Sequence, residues 1–502
     1  MKKLYIYTLL LISTLTFSCK KFLEEYSQDE MRPGTINDLN SLMYGDAYPY
    51  TVSMETFDVL ADDVQNNPLV NVNGSPVATY LGALQANTLM YTFNPTMFDG
   101  LATTPESADV YTKMYLKIKG CNVLIDYVDK VSGTVTDKNA VLGQCLFLRA
   151  YYYLKLVTLY GQSYIAPGVN PETSLGVPLV LSSEVKDGGL KRNTLKEVYD
   201  QIEKDLIAAE DLLRNNFVQP NAFRVNSDVA NGLLSRFYLY RGLDTDWGKA
   251  IQRAGQALQN RSTLTALSSW VGANNSIAAN GIYNSTSPEV LWVYGGTHSP
   301  ILVPEIDSRA LPPFSVSADL IAQYDKGTNT SNYGDLRFQF YFQSFTVNGS
   351  RLTYRTAKNT INAQYGTKGL RVAELYLNRA EAYARRFLAT GNAGDRQAAL
   401  ADLNTLRQSR FDTRNTPYVP VNITAAQDLY KFCQDERRRE LCLEDGHRFV
   451  DLKRWGLGVT HVFTGTDNVT ATYTLAPNAP LFTLPIPANA MNNNTGLIQN
   501  PR

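Results

Sequence analysis

The chain has 502 residues, 44% of them apolar and 19% charged, with 47 basic and 47 acidic side chains and a formal net charge of zero. This composition supports a sizeable core and excludes a disordered, low-hydrophobicity chain. No block of like charge exceeds Arg437 to Arg439, so electrostatics favours neither nucleic acid nor anionic lipid, and binding must come from shape and specific contacts.

Lys2 and Lys3 precede an apolar run from Leu4 to Phe17 that is too short to span a bilayer as a mature helix, and Ser18 sits before Cys19. The reading is a signal peptide over 1–18 with Cys19 as the acylated first residue of a lipoprotein, since a thiolate is the nucleophile that lipid transfer needs. Thr16 stands where such signals usually carry an aliphatic residue, and a plain signal with an incidental cysteine is the alternative. A tether over 19–35 then leads to a single domain over 36–502. No later apolar run approaches the ~20 residues of a membrane helix.

A loop-rich stretch over about 46–105 comes first. Helical periodicity takes over at about 110–260 and returns at about 370–457. The stripe Val141, Cys145, Leu148, Tyr152, Leu156 and Leu159 ends at Gly161. Thr194-Leu195-Lys196-Glu197 is a capping box that opens the stripe Leu195, Val198, Ile202, Leu206, Ala209 and Leu213, and a third stripe from Val229 to Tyr240 ends at Gly242. Two helix pairs look alike, one from Ala230 to Leu258 and one from Ala373 to Arg407, in the manner of tetratricopeptide-like repeats. The predicted fold is therefore mostly α, a scaffold of helical hairpins with large irregular insertions and a few short strands. Between the helical zones, about 260–365 turns to Asn, Gly, Ser, Pro and aromatics, with strand-like runs at Glu289 to Tyr294 and Phe338 to Phe345. The two irregular regions are where ligand contacts are expected.

Few residues invite catalysis. The three histidines, His298, His447 and His461, fit no HExxH spacing, and there is no GxSxG elbow, P-loop or paired CxxC, so neither an enzyme activity nor a cofactor is expected. Glu444 and His447 could share a metal by spacing alone, and Asp58, Asp62 and Asp63 could hold Ca²⁺, but a solvent-facing capped helix end is the better account of the aspartates. The helical charges around Arg437 to Arg439 are read as scaffold, with Asp435 and Glu436 reaching Arg439 and Arg437 pairing with Glu440. Cys433 and Cys442 read as buried thiols on one helix, while Cys121 and Cys145, on either side of the turn Ser132-Gly133-Thr134, leave a bridge between antiparallel helices open.

Several segments together resemble the SusD/RagB family of outer-membrane nutrient-binding lipoproteins: Cys19-Lys20-Lys21-Phe22-Leu23, the helix from Phe147 to Tyr153, and Ala373 to Glu381. Asp435 to Leu441 with Gly446 to Gly456, and Leu484-Pro485-Ile486-Pro487 followed by Gln499-Asn500-Pro501, complete the set. The resemblance implies a mostly helical fold with four tetratricopeptide-like units, no catalysis, an oligosaccharide or peptide ligand, and a SusC-like TonB-dependent transporter as partner. It also implies an outer-membrane lipid anchor with cell-surface exposure, which Glu24 and Glu25 behind the lipid site favour although Lys20 and Lys21 precede them. A tetratricopeptide-type scaffold lipoprotein without a small ligand is the alternative function, and a glycan-cleaving enzyme a more distant one.

Sugar binding calls for aromatic faces, which the 31 tyrosines supply in number, although most belong in helix interfaces. Elimination among the four tryptophans singles out Trp270, because Trp247, Trp292 and Trp455 each have a packing role available while Trp270 lies among serines and asparagines. Tyr283 follows thirteen residues on, and Tyr80 and Tyr91 of the other irregular region are candidates for the opposing wall.

Overall fold

The protein is described by a computed structural model over residues 33–50, 57–69, 78–100, 108–184, 188–277, 281–283, 286–294, 311–347, 350–358 and 368–502. The expected signal segment over 1–18 and Cys19 lie outside the described residues. Chain order begins with α1 (Ile36–Leu42), β1 (Val64–Asn66) and α2 (Ala78–Tyr91), then the helices α3 (Val110–Tyr127), α4 (Val135–Tyr160), α5 (Leu195–Asn216), α6 (Ser227–Arg241) and α7 (Asp246–Asn260). An irregular stretch carries β2 (Val290–Val293), β3 (Phe314–Val316), α8 (Ala318–Ala322), α9 (Arg337–Tyr341), β4 (Phe342–Val347), β5 (Ser350–Thr356) and β6 (Gly369–Arg371). The helices α10 (Val372–Thr390), α11 (Ala393–Arg410), α12 (Ala426–Leu441) and α13 (His447–Arg454) follow, and β7 (Val459–Thr464), β8 (Thr470–Leu475) and α14 (Ala488–Asn493) close the chain.

The helices begin and end where local chemistry says they should. Thr194 caps α5 by accepting from Glu197 N while the Glu197 carboxylate accepts from Thr194 N at 2.8 Å, the reciprocal pair the motif predicts. Asn226 caps α6, and Gly242 ends it in the left-handed region that glycine enters without strain. Each helix needs a neighbour for its apolar face, and the packing runs in chain order: α4 lies between α3 and α5, α5 meets α6, and α6 pairs with α7. Helix α10 then packs on α7, α11 and α12, so the two look-alike hairpins α6–α7 and α10–α11 touch although more than a hundred residues separate them. Close approach matters at Gly120 of α3, where an added Cβ would lie 2.3 Å from the Asp46 carbonyl oxygen.

The strands form four separate antiparallel pairs among the described residues, β1–β3, β2–β6, β4–β5 and β7–β8. Two expectations need correcting, and one open question is settled. The region 46–105 includes the fourteen-residue helix α2. The run from Phe338 coils into α9 before it extends, because the Asp335 carboxylate accepts from Arg337 N at 3.1 Å and from the Arg337 guanidinium, which holds a turn at that point. Cys121 and Cys145 are both free and buried, with Cys145 against the Met43 sulfur at 3.9 Å, so the pair is two thiols and no bridge.

Candidate functional site

The two irregular regions meet. β1 pairs with β3 in the register Val64 to Val316 and Asn66 to Phe314, and the Asn66 and Asn67 side chains donate to the carbonyls of Pro313 and Pro312 at 3.0 and 2.7 Å. β3 also packs on β5, where Ser315 and Thr353 share a hydroxyl hydrogen bond. A segment with no continuous apolar stripe has many backbone polar groups to satisfy, and here amides and hydroxyls do so.

Behind this face lies a knot of buried charge. Arg337 of α9 pairs with Asp335 at 2.7 Å, Glu436 at 2.8 Å and Glu440 at 3.2 Å; Arg410 at the end of α11 pairs with Glu289 at 2.6 Å and Glu440 at 2.9 Å. Arg371 of β6 reaches Glu289, Glu440 and Glu444, and Lys358 reaches Glu444 at 2.7 Å and the Glu440 and Cys442 carbonyls. These side chains are fully buried or nearly so, and the knot fastens α9, β6 and the end of β5 to α12. Burial alone would raise the Glu440 carboxyl, but the guanidinium groups of Arg410 and Arg371 outweigh it and hold the acid well below the ordinary carboxylate range. Glu436 is lowered by the same balance, with Arg337 and Arg439 opposing its burial.

Around α9 and the turn before it lies a band of four half-buried aromatics, Trp270, Tyr333, Phe338 and Tyr354. Trp270 packs edge-on against Phe340 at 5.3 Å, and Phe338 against Tyr354 at 5.6 Å with the Lys326 ammonium 4.8 Å from the Phe338 ring centre. The loop after Trp270 is pinned, since Tyr333 donates to the Asn275 carbonyl at 2.8 Å and Arg414 binds Asn275 Oδ1 at 2.7 Å while gripping Asp412. On the other face of the β4–β5 pair from Tyr354, Arg355 donates from Nε and Nη2 to the Gln343 side-chain oxygen at 3.0 and 2.6 Å. Half-buried rings with the Asn275 amide near them, held on a rigid base, can stack on the apolar side of a hydroxylated ligand.

Of the expected site residues, Trp270 alone belongs to this band. Tyr283 is 3% exposed, with its hydroxyl donating to Glu444 at 2.9 Å and Arg371 over its ring, so it belongs to the charge knot. Tyr80 is buried with its hydroxyl on the Asn67 carbonyl, and Tyr91 is buried between His461 and Phe314, its ring 4.0 Å from the imidazole centre. Both brace β1 from within. Residues Tyr333, Phe338 and Tyr354 were not singled out by sequence, where a tyrosine on a loop and one in a core look alike.

The charged motifs are scaffold, but their pairings differ from the within-helix expectation. Glu436 does meet Arg439 at 2.8 Å, whereas Asp435 pairs with Lys431, and Arg437 turns to Asp451 at 2.8 Å and Asn378. Glu440 is taken by Arg337, Arg371 and Arg410 from distant segments. The expected solvent-facing aspartate cap is an internal clamp: Asp63 is buried against Arg438, and Asp62 pairs with Arg448 at 2.7 Å. Glu444 is spent on Arg371 and Lys358, while His447 meets Tyr240 at 2.9 Å, with burial and then Arg236 pushing its pKa well down. Among the described residues no group of three His, Cys, Asp or Glu is placed to hold a metal ion, and no helix is long and apolar enough to cross a membrane.

Residues 57–239 match the family model described as starch-binding associating with outer membrane, and residues 316–502 match the model of the SusD family. The chain belongs to the SusD/RagB family. Its fold is shared with a SusD-like carbohydrate-binding protein from Bacteroides vulgatus at 20% identity and TM-score 0.65, over 92% of this chain and 97% of that one. A SusD superfamily protein from Bacteroides thetaiotaomicron matches at 21% and 0.65, over 93% and 100%, and another from Bacteroides vulgatus at 19% and 0.66, over 93% and 99%. Among curated proteins none matches the chain. For a SusD/RagB member, α9 and its aromatic band are the part of the fold that sequence periodicity says least about.

Proposed function

We propose that this protein is a lipid-anchored binding subunit of a nutrient importer, exposed at the cell surface, that captures oligosaccharides and delivers them to a SusC-like TonB-dependent transporter in the outer membrane. The observation that carries the ligand class is the aromatic band of Trp270, Tyr333, Phe338 and Tyr354, with the Asn275 amide near it, on a face fastened from behind by buried charge. The family description of starch binding at the outer membrane and the relative named as carbohydrate-binding support the same reading. The anchor rests on the basic, apolar and Ser18-Cys19 sequence at the start of the chain. Binding without chemistry fits a face made of rings and an amide, which offers no nucleophile paired with a base.

Isothermal titration of the purified protein against oligosaccharides and peptides, with product analysis, tests the reading. Saturable oligosaccharide binding with the sugar recovered intact is expected; release of cleaved sugar, or saturation by peptides alone, overturns the ligand assignment. Cys19→Ala should abolish incorporation of a fatty-acid analogue, and labelling that persists in the variant removes the anchor. A large β-barrel copurifying from detergent extracts at native expression is the expected partner, and a protein isolated repeatedly as a free monomer argues for the loss of that assignment.

A further inference from the structure

Far from α9 in the chain, a cleft of about 750 Å³ opens between the first turns of α3, the extended segments 178–184 and 188–190, and the C-terminal loop bearing α14. Two other described cavities hold about 10 and 20 Å³, room for little more than a water each. The large cleft falls within the range of small-molecule sites.

Most of its exposed wall is carbon, although Thr112, Ser182, Ser183, Asn489 and Asn494 also line it. Tyr111 and Tyr115 lie at one side with ring centres 4.9 Å apart, and the Tyr115 hydroxyl is committed to the Pro178 carbonyl at 2.7 Å. The adjoining segment 178–184 is tied to the scaffold at Val180, whose N donates to the Tyr153 hydroxyl at 2.7 Å and whose carbonyl accepts from Asn122 at 2.8 Å. Leu181 and Leu190, each 41% exposed, also line the cleft, and two solvent-facing leucines in one opening call for an apolar occupant. The mouth is polar and balanced in charge, with exposed Lys119 and Glu184 and the amide of Asn493.

The far wall is preformed. Gln499 closes the loop by accepting from Ile486 N at 2.7 Å and donating to its carbonyl at 2.8 Å, Asn500 donates to the Tyr160 and Leu484 carbonyls, and Asn489 of α14 donates to Asp109 at 3.0 Å. At one end Gly189 and Gly496 meet backbone to backbone, so close that a Cβ on Gly189 would lie 2.5 Å from Gly496 N. A cleft held open by these ties does not have to be ordered when a ligand arrives.

We infer that this cleft is a second binding site, separate from the aromatic band, for an uncharged amphipathic molecule whose apolar chain lies between α3 and α14 and whose polar head stays at the mouth. The probe is tetraethylene glycol monooctyl ether below its micelle-forming concentration, titrated calorimetrically into the purified protein; its head is not a sugar, so the result does not depend on the oligosaccharide reading. Saturable binding is expected. Ala490→Trp, which fills the cleft, and Leu181→Gln, which changes a half-exposed lining residue and leaves the core alone, should each weaken it about tenfold or more, while Trp270→Ala leaves it unchanged. No saturable binding by the unmodified protein overturns the inference. So does unchanged binding by Leu181→Gln with its melting temperature intact, or a loss confined to Trp270→Ala, which would place the probe on the aromatic band.

Discussion

Helices α4 and α5 and the segments around α9 are both buried against the body of the protein, yet they are held by different physics. Leu148 and Leu156 of α4 and Ile202 and Leu206 of α5 are fully buried aliphatics on periodic stripes, with Arg149 and Asp205 as a charged pair between them. The α9 side has no such stripe; Arg337, Lys358, Arg371 and Arg410 instead reach inward to Glu289, Glu436, Glu440 and Glu444. A helix satisfies its own backbone and can offer carbon to a neighbour, whereas an irregular segment is fixed by directional contacts at single atoms. Carbon contacts tolerate small shifts, but a buried charge that loses its partner does not.

The largest test of this contrast is Glu440→Ala. It strips three guanidinium groups of a shared partner and should cost about 3–5 kcal/mol in denaturant unfolding. A loss below about 1 kcal/mol would show the knot to be no more than decoration on an apolar core.

Acid should find the same weakness. Glu436 and Glu440 are held below their ordinary values, so their contribution is complete above the unfolded carboxylate pKa of about 4.3 and is lost as the pH falls below it through their folded values. Protection of the α9 and β6 amides against hydrogen exchange, taken relative to the intrinsic rate at each pH, should therefore fall on acidification before that of α5 and α6. Simultaneous loss in both regions would erase the distinction.

A smaller effect is expected at the surface of the band. Trp270→Ala should weaken oligosaccharide binding by about 1–3 kcal/mol, the scale of aromatic hot spots and stacked bases. Because the ring also packs on Phe340, the melting temperature will fall slightly. A large stability loss with no separate loss of affinity would return Trp270 to the core.

The smallest change belongs to the helical half. Thr194→Ala removes the cap of α5 and should cost about 1 kcal/mol by thermal unfolding, while leaving exchange at α9 untouched.

The sequence by itself determined what depends on neighbours along the chain. The capping box at Thr194, the stops at Gly161 and Gly242, the aliphatic stripes and the look-alike hairpins were legible because helix periodicity and capping are written within a few residues. The family was legible for a related reason, since its segments keep their order and spacing. Tertiary structure alone decided which partner each charge takes: Arg437 has Glu440 one turn away but pairs with Asp451, while Arg337, Arg371 and Arg410 from distant segments occupy Glu440. It also decided which aromatics remain half open, since Tyr91 and Tyr354 come from equally irregular sequence and differ only in what the rest of the chain lays over them.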